Sequence, residues 1–415
     1  MDSPEPSKLR LLFQPAVLVG ALGYFVDIYD LLLFQIVRAK SLASLGITSI
    51  EAGVQLYNWQ MAGLLVGGVL WGVLGDRKGR TILLFGSIAL YSGATLANAF
   101  VHSYSAYAFW RVLAGIGLAG ELGGSMALIS EILPREVRGY GTTIVATVGV
   151  FGAVVAGLTG KLFDWRVAYT VGGVLGFALL ALRVGVAESA MFKRARAYDE
   201  VPRGDFLSLF TNFSRFRRYL CCILIGLPLW YAVGIVVAYC PEFARELGVR
   251  GEVTPGDGVL WAYFGLTVGD FLTGTLSQLL HSRKKVVALG MVVSAVFLGI
   301  YFSAYGVSST VFYAIIFGMG IGLGYWAVFA TMAAEQFGTN LRATTATTVP
   351  NFVRGSLIPI SWLYLALKGS YSPAHAAALT GVCILPIAFL ALLGLRETYG
   401  VDLDYVELPE GSHFR

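Results

Sequence analysis

The sequence predicts an all-α membrane protein with twelve transmembrane helices in two related six-helix bundles. Three observations lead to this fold class: the composition, a series of long apolar runs, and internal repetition. Of the 415 residues, 56% are hydrophobic and only 13% are charged, and the mean hydropathy is +0.71. Soluble domains carry about 25% charged residues, so most of this chain is expected to face lipid or protein rather than water.

Apolar runs of about 20 residues, enough to cross roughly 30 Å of hydrocarbon, recur along the whole chain. Such runs must be helical, because lipid offers no partner to an unpaired backbone N–H or C=O group. The predicted spans 1 to 12 cover 14–37, 52–75, 81–101, 105–129, 142–162, 167–187, 219–239, 258–280, 286–306, 308–333, 344–367 and 372–395.

The longest polar stretch, 188–218, follows six spans and precedes six more, which predicts a linker between two bundles. The domains are therefore expected at 1–187 and 219–395, with 188–218 as a cytoplasmic linker and 396–415 as a solvated cytoplasmic tail.

Internal repetition supports this division. The glycine-rich run 115–120 recurs at 320–324, and the pair Glu131 and Arg138 recurs as Glu335 and Arg342, so the repeats are offset by about 204–206 residues. Duplicated halves suit alternating access, in which one bundle rocks against the other around a central site. A channel or a membrane enzyme could also be duplicated, so repetition alone does not decide the function.

The distribution of positive charge predicts the orientation. With both termini inside, 20 Lys and Arg residues fall in cytoplasmic segments and 7 in external ones. The net charge of +5 is explained by this topology and does not indicate nucleic-acid binding. We expect a monomer in the cell (inner) membrane. The cysteines and histidines are scattered, so no metal or cofactor site is predicted.

The loop between spans 2 and 3 carries a motif of glycines and charges. Its glycines permit a tight turn and close helix approach, and an acid among bases can form a breakable charge lock. An ordinary basic loop would explain the bases but not the acid or the glycine pattern. The residues assigned to this gating loop and its partners are Gly72, Gly75, Asp76, Arg77, Gly79, Arg80, Glu131 and Arg138.

This motif, in this place, resembles the hallmark loop of the major facilitator superfamily, and the resemblance covers about 14–395. It implies a twelve-helix transporter without a cofactor. The stretch 23–30, with Asp27 and Asp30, looks like a signature of proton-coupled symporters for organic acids and phosphate. The stretch 111–138 in span 4 is similar to the sialate and metabolite:proton symporters. Glu188 and Ser189 resemble a sugar-porter signature, but Ala190 stands where its proline is expected.

Ionisable residues inside spans are costly, so each one is a functional hypothesis. Asp27 and Asp30 lie one helical turn apart in span 1, and two nearby acids in a poorly hydrated cavity favour proton coupling. The alternative for Asp30 is a structural bridge to Arg111, which also remains a candidate anion contact. Glu121 in span 4 points either to the cavity or to a neighbouring helix.

Asp270 in span 8 and Arg354 in span 11 have no charged counterpart in the other half, which suggests function rather than scaffold. We expect Arg354 to anchor an anion through its planar guanidinium, with Asp270 as its resting counter-ion and a possible proton site. A permanent buried ion pair is the alternative. Pro350 predicts a kink in span 11.

Polar and aromatic side chains complete the predicted pocket, although an aromatic residue at such a position more often serves packing than ligand contact. They are Asn351, one helical turn from Arg354, and Tyr29, Trp230, Tyr231, Tyr325 and Trp326.

The function that these features predict is secondary active transport: proton-coupled symport of a small organic or inorganic anion. A carrier of neutral sugars or a drug-efflux carrier, with structural buried charges, is the alternative. A membrane enzyme would need a nucleophile with a base or a metal cluster, and the scattered histidines supply neither. A channel is disfavoured by the loop motif, and a transporter-like sensor would bind ligand without moving it.

Overall fold

The computed structural model describes residues 12–47, 50–78, 80–187, 206–338 and 340–401. Regular structure in these ranges is helical, apart from one isolated bridge between Arg250 and Ser308. The helices of spans 1 to 6 are Pro15–Ser44, Ile50–Lys78, Arg80–Asn98, Tyr104–Leu118 with Glu121–Ile132, Arg135–Leu162 and Trp165–Ala187. Those of spans 7 to 12 are Phe213–Leu224 with Leu227–Tyr231 and the π-helix Ala232–Val237, Pro255–Leu279, Arg283–Phe302, Ser309–Leu323 with Trp326–Glu335, Arg342–Gly355 with Leu357–Lys368, and Pro373–Leu393.

The described helices confirm the predicted spans. Eight helical segments in the described part of the chain are long and apolar enough to cross a bilayer, and they account for spans 1, 5 to 10 and 12. Span 3 contains a shorter apolar helix, and spans 4 and 11 are each divided into two helices. The helix of span 11 continues through Pro350 and is interrupted at Ser356, six residues further along, and the kink predicted at the proline stays a prediction.

Polar residues at the helix starts explain several boundaries. Ser103, Thr254, Ser282 and Ser308 are N-caps whose side chains accept a hydrogen bond from a backbone N–H in the first turn. Ser103 and Ser308 begin the first helices of spans 4 and 10, one in each half of the molecule.

Spans 4 and 10 repeat each other at a fixed offset. The first helices begin at Tyr104 and Ser309, and the second at Glu121 and Trp326; 309 − 104 and 326 − 121 both give 205. Both spans are therefore interrupted at equivalent positions, which agrees with the offset that the sequence repeats predict.

The two halves meet along span 5 against span 8 and span 2 against the first helix of span 11. Glycines bring the helices close: a Cβ at Gly123 would overlap the Thr347 backbone, and one at Gly274 would overlap the Thr143 side chain. These contacts close the interface on the predicted cytoplasmic side. At the opposite end, a pocket opens between the halves, lined by Phe34, Gln35, Arg38, Tyr57, Asn58, Gly234, Ala238, Tyr239, Pro255, Val259, Leu357 and Ser361.

The predicted linker and the predicted tail are each described only in part. Residues 206–218, assigned to the linker, include the helix Ser208–Thr211 and the beginning of span 7, while 188–205 lie outside the described residues. Of the predicted solvated tail, 396–401 are described; Arg396, Glu397, Gly400 and Val401 are exposed and Thr398 is buried. There Glu397 accepts hydrogen bonds from the Arg283 and Lys284 amides, at 2.8 and 3.2 Å, and so caps the helix of span 9. Residues 402–415 lie outside the described range.

Candidate substrate site between the two halves

A buried ion pair joins the two halves at the centre of the molecule. Arg354 Nη2 on span 11 lies 3.3 Å from Asp27 Oδ2 on span 1, and the two side chains are 1% and 0% exposed. Arg354 Nη1 also donates to Asn351 Oδ1 at 3.3 Å. The guanidinium is therefore oriented by one residue of its own helix and one residue of the opposite half.

Asn351 itself crosses the interface. Its amide nitrogen donates to the carbonyl oxygen of Ala119 in span 4 at 2.7 Å and to that of Thr347 at 2.7 Å. The Ala119 carbonyl lies at the interruption of span 4, where the helical hydrogen-bond ladder is open. Asn351 thus lies beside Arg354, and its hydrogen bond to the Ala119 carbonyl links span 11 to span 4.

A second link across the halves lies beside the ion pair. Trp326 Nε1 on span 10 donates to the Tyr24 hydroxyl on span 1 at 2.7 Å. Tyr24 is one helical turn before Asp27 and lies within electrostatic range of Arg354, Asp27 and Asp270. Of the predicted aromatic contacts, Trp326 is thus the one that the structure brings beside the buried charges.

Several polar atoms near this centre have no hydrogen-bond partner among the described residues. They are Asp27 Oδ1, Arg354 Nε and Asp270 Oδ2, all fully buried; Trp230 Nε1 on span 7 is also buried and unpaired, but no described contact joins it to this centre. Buried polar atoms are normally paired with protein or water, because an orphan costs about 1–3 kcal/mol. Buried donors and acceptors without partners, next to an ion pair, favour the binding of a polar solute or water at this centre.

The predicted pairing of Arg354 with Asp270 is wrong. Asp270 Oδ1 instead accepts a hydrogen bond of 2.8 Å from the backbone N–H of Ala327, and Asp27 takes the place of the counter-ion. The physical reason is that Asp270 lies against the interruption of span 10, where an unpaired amide competes for its carboxylate.

Asp27 and Asp30 have different direct partners, although the two carboxyl groups lie within electrostatic range of each other. Asp30 Oδ2 accepts from Thr95 Oγ1 on span 3, inside the N-terminal half, and lies within electrostatic range of Arg111. Arg111 donates to Gln60 Oε1 and, at 3.4 Å, to the Tyr169 hydroxyl. The structure therefore places Asp30 and Arg111 in a polar network within one half and does not bring them to Arg354.

Glu121 points to a neighbouring helix rather than to the cavity. It pairs with Arg183 of span 6, whose Nη1 lies 3.2 Å from Glu121 Oε2, and the two side chains are 0% and 4% exposed. Arg183 also donates to the Leu84 carbonyl at 3.0 Å. Arg183 lies near the cytoplasmic end of predicted span 6, and its acidic partner Glu121 holds its side chain in the interior.

The other predicted aromatics serve the helix framework. The hydroxyls of Tyr29, Tyr231 and Tyr325 donate to the backbone carbonyls of Ala168, Ala377 and Ile225 at 2.9, 2.6 and 3.0 Å. Ile225 lies at an interruption of span 7, so Tyr325 satisfies a carbonyl that the helix leaves open. These tyrosines are buried and bonded to the backbone, and their predicted contact with a solute stays a prediction.

Comparison with known proteins decides the family. The family model described as "Major Facilitator Superfamily" matches residues 20–362, most of the chain. The chain belongs to the Major Facilitator Superfamily.

Curated relatives of this facilitator are transporters. The chain is 24% identical to a probable 4-methylmuconolactone transporter of Cupriavidus pinatubonensis, over 92% of this chain and 90% of that protein. It is 26% identical to the 3-(3-hydroxy-phenyl)propionate transporter of Escherichia coli, over 82% and 85%. Its class is thus confirmed as a membrane transporter rather than an enzyme.

A solved structure shows the same fold. The proton:xylose symporter XylE superposes with a TM-score of 0.70 at 16% sequence identity, covering 96% of this chain and 98% of that one. The predicted twelve-helix facilitator fold is therefore confirmed.

The facilitator loop motif is described only in part. Gly72 packs against the Thr344 backbone of span 11, and Gly75 lies in the same helix. Arg77 is exposed at the helix end. Gly79 and the side chains of Asp76, Arg80, Glu131 and Arg138 lie outside the described part of the chain, so the predicted lock of this half stays a prediction.

In the C-terminal half, an ion pair lies at the position equivalent to the predicted charge lock. Arg283 Nη2 at the start of span 9 lies 3.3 Å from Glu335 Oε1 at the end of span 10, and Thr398 Oγ1 donates to Glu335 Oε2 at 2.8 Å. The loop 281–285 contains no acidic residue. The negative charge comes instead from Glu335, the acid of the repeated pair Glu335 and Arg342.

Sequence reasoning did not single out three buried tyrosines near Arg354. Tyr24, Tyr57 and Tyr263 are buried and lie within electrostatic range of Arg354. Tyr24 is one turn from Asp27 on the same helix, and that spacing could have identified it. Tyr57 and Tyr263 come from spans 2 and 8, and no local pattern links them to Arg354.

Proposed function

We propose that the protein is a proton-coupled symporter of a small organic carboxylate, with Arg354 as the anion-binding group and Asp27 as the proton site. The observation that carries this proposal is the buried Arg354–Asp27 pair, which spans the two halves at 3.3 Å. A symporter needs a site where the proton and the solute affect each other, and this pair offers one.

The coupling follows from charge balance. In the empty site, the positive charge of Arg354 is balanced by ionised Asp27. A carboxylate that enters beside ionised Asp27 would place two negative charges against one positive charge in a poorly hydrated interior, which is costly. If Asp27 is protonated, Arg354 is released to bind the carboxylate bidentately, and the net charge of the site is unchanged.

The surroundings suit a carboxylate attached to an unsaturated or aromatic body. Tyr24, Tyr263 and Trp326 supply large apolar surfaces, and Trp326 stacks obliquely on Phe329 with ring centroids 5.0 Å apart. The names of two relatives, for 4-methylmuconolactone and 3-(3-hydroxy-phenyl)propionate, support the same solute class.

Alternating access would use the interface already described. With the predicted cytoplasmic side closed and a pocket at the other end, the site would receive solute and proton from outside. Rocking of the two halves must then separate Arg354 from Asp27 or move both residues. Protonation of Asp27 and binding of the carboxylate by Arg354 would therefore regulate the transition.

Uptake into proteoliposomes tests the proposal, with radiolabelled 3-(3-hydroxyphenyl)propionate as the probe. We expect uptake by the wild type to rise when the outside is made more acidic than the inside. Asp27→Asn should lose this response yet keep solute exchange between the two sides, because a neutral side chain mimics the protonated state. Arg354→Gln should lose both, and Glu252→Gln on the exposed surface serves as the control.

Two results would contradict the proposal. One is wild-type uptake that ignores the pH gradient. The other is normal transport of the probe by Arg354→Gln, which would make the buried pair structural and favour a carrier of neutral solutes. A panel of other carboxylates in a thermal-shift assay would then show whether any acid binds, since a ligand stabilises the folded state by mass action.

A further inference from the structure

The interruption of span 10 leaves several backbone groups without helical partners, among them the Ala327 amide and the Gly324 carbonyl. The first helix ends at Leu323 and the second begins at Trp326. The Ala327 amide therefore does not bond the Leu323 carbonyl, and the Gly324 carbonyl is open as well. Such groups cost free energy inside a membrane protein unless another segment satisfies them.

Span 8 satisfies both groups from a single face. Asp270 Oδ1 accepts from the Ala327 amide at 2.8 Å, and Thr273 Oγ1 donates to the Gly324 carbonyl. Asp270 and Thr273 are three residues apart, so they lie on the same face of one helix. One residue thus supplies the acceptor and the other the donor that the interruption requires.

The two helices are held backbone to backbone at this point. A Cβ at Gly324 would overlap the backbone of Gly269 and Asp270, and a Cβ at Gly269 would overlap the Ile321 carbonyl. Without these glycines, the short side chains of Asp270 and Thr273 could not reach the interrupted backbone of span 10.

The interruption determines where Trp326 points. Trp326 is the first residue of the second helix and donates to Tyr24 across the halves at 2.7 Å. Ala327, the residue bonded by Asp270, follows it directly. The N-terminal half has no equivalent acid, because an offset of 205 or 206 from Asp270 gives Leu65 or Leu64.

We infer that Asp270 and Thr273 are positioning residues: together they form a hydrogen-bonded splint that sets the interruption of span 10 and so holds Trp326 against Tyr24 beside the Arg354–Asp27 pair. That this pair marks the solute site rests on the proposed function. The splint needs the acceptor oxygen of Asp270 and not its negative charge. Asp270 is thereby distinguished from Asp27, whose charge the coupling requires.

Hydrogen–deuterium exchange of the purified full-length protein in detergent tests the splint without any solute. Asp270→Leu and Thr273→Val keep the approximate side-chain shape and each remove the bond to the span 10 backbone; Thr273→Val also removes a 3.3 Å bond from Thr273 Oγ1 to the Asp270 carbonyl within span 8. We expect the amides at 325–329 to exchange about tenfold faster in both variants. Asp270→Asn and Thr273→Ser retain the bonding atoms and should exchange as the wild type does. Thr267→Val, which removes only a bond within span 8, is the matched control.

Transport of 3-(3-hydroxyphenyl)propionate supplies the second measurement. Asp270→Leu should raise KM several-fold with a smaller change in kcat, because Trp326 loses its place at the site while the Arg354–Asp27 pair remains. Asp270→Asn should restore KM and keep the wild-type dependence on the pH gradient.

The splint is refuted if Asp270→Leu and Thr273→Val leave exchange at 325–329 unchanged, or if Asp270→Asn exchanges as fast as Asp270→Leu. Thr273→Val and Thr273→Ser keep the test decisive if Asp270→Leu does not fold. Because exchange needs no solute, a failure to transport the carboxylate would count against the proposed function and leave the splint standing.

Discussion

Arg183 on span 6 and Glu121 on span 4 form a buried ion pair around Gly23 of span 1. Arg183 Nη1 lies 3.2 Å from Glu121 Oε2, and a Cβ on Gly23 would overlap both side chains. Three helices of the N-terminal half therefore meet at one charged contact, one helical turn from Asp27. This explains why a glycine stands at that position of span 1.

Removing one partner of this pair should be much worse than removing both. Glu121→Leu leaves the Arg183 charge buried without its acid, at a cost of about 3–5 kcal/mol in the free energy of unfolding. The double variant Glu121→Leu with Arg183→Met should recover most of that loss. Unfolding in detergent micelles measures both, and a double variant as unstable as Glu121→Leu would contradict the expectation.

A methyl group at Gly23 should destabilise the protein, while one at Gly93 should not. Gly23→Ala forces the Glu121–Arg183 pair apart, whereas a Cβ at Gly93, inside the helix of span 3, meets no atom within 4 Å. Gly93→Ala should be neutral or stabilising by up to about 1 kcal/mol, since alanine is the better helix former. Thermal unfolding of the two variants checks this: Gly23→Ala should lower Tm relative to the wild type, and Gly93→Ala should leave Tm unchanged or raise it.

A bulky residue at Gly123 should prevent closure of the predicted cytoplasmic side. Gly123→Leu cannot fit against the Thr347 backbone, so the population should shift away from the state with the open pocket. A reporter cysteine in place of Ala238, in a protein whose own cysteines are replaced, should then react several-fold more slowly with a membrane-impermeant maleimide. Gly299→Leu, at a position with open space, is the control and should label as the parent does.

The cap on span 9 should give a pH-dependent contribution to stability. Partial burial by itself would raise the pKa of Glu397, but hydrogen bonds from the Ser282 hydroxyl and from the amides of Arg283, Lys284 and Tyr399 outweigh it and hold that pKa below its usual value. A carboxyl group whose pKa is lowered in the folded state stabilises that state at a pH above the pKa of the unfolded chain. The contribution is lost as pH falls through the folded value.

Thermal unfolding of Glu397→Gln between pH 7 and pH 3 measures this contribution. The Tm difference from the wild type should be largest near pH 7 and should shrink below about pH 4.3, the ordinary value for glutamate. Glu252→Gln, on an exposed loop, should show no such dependence. An unchanged difference at pH 3 would mean that the cap does not depend on ionisation.

Much of the site could be predicted from the sequence, because charges inside long apolar runs stand out. Asp27 and Arg354 are such residues, and the structure brings them together. Their pairing could not be predicted, because it depends on which faces of spans 1 and 11 meet. Asp270 seemed the better partner for Arg354 only because nothing in the sequence shows that an open backbone amide at Ala327 competes for it.

The sequence by itself determined the helical membrane fold, the two halves and the offset that relates them, whereas the equivalent interruptions of spans 4 and 10 were seen only in the structure. Hydrophobic length, glycine spacing and the 205-residue offset are local or periodic properties of the chain. Only the tertiary structure decided the partners of the buried charges: Asp27 with Arg354, Glu121 with Arg183, and Asp270 with a backbone amide. In a poorly hydrated interior each polar group takes whichever partner the packed helices bring within a few ångströms, and that distance is not encoded in any one segment.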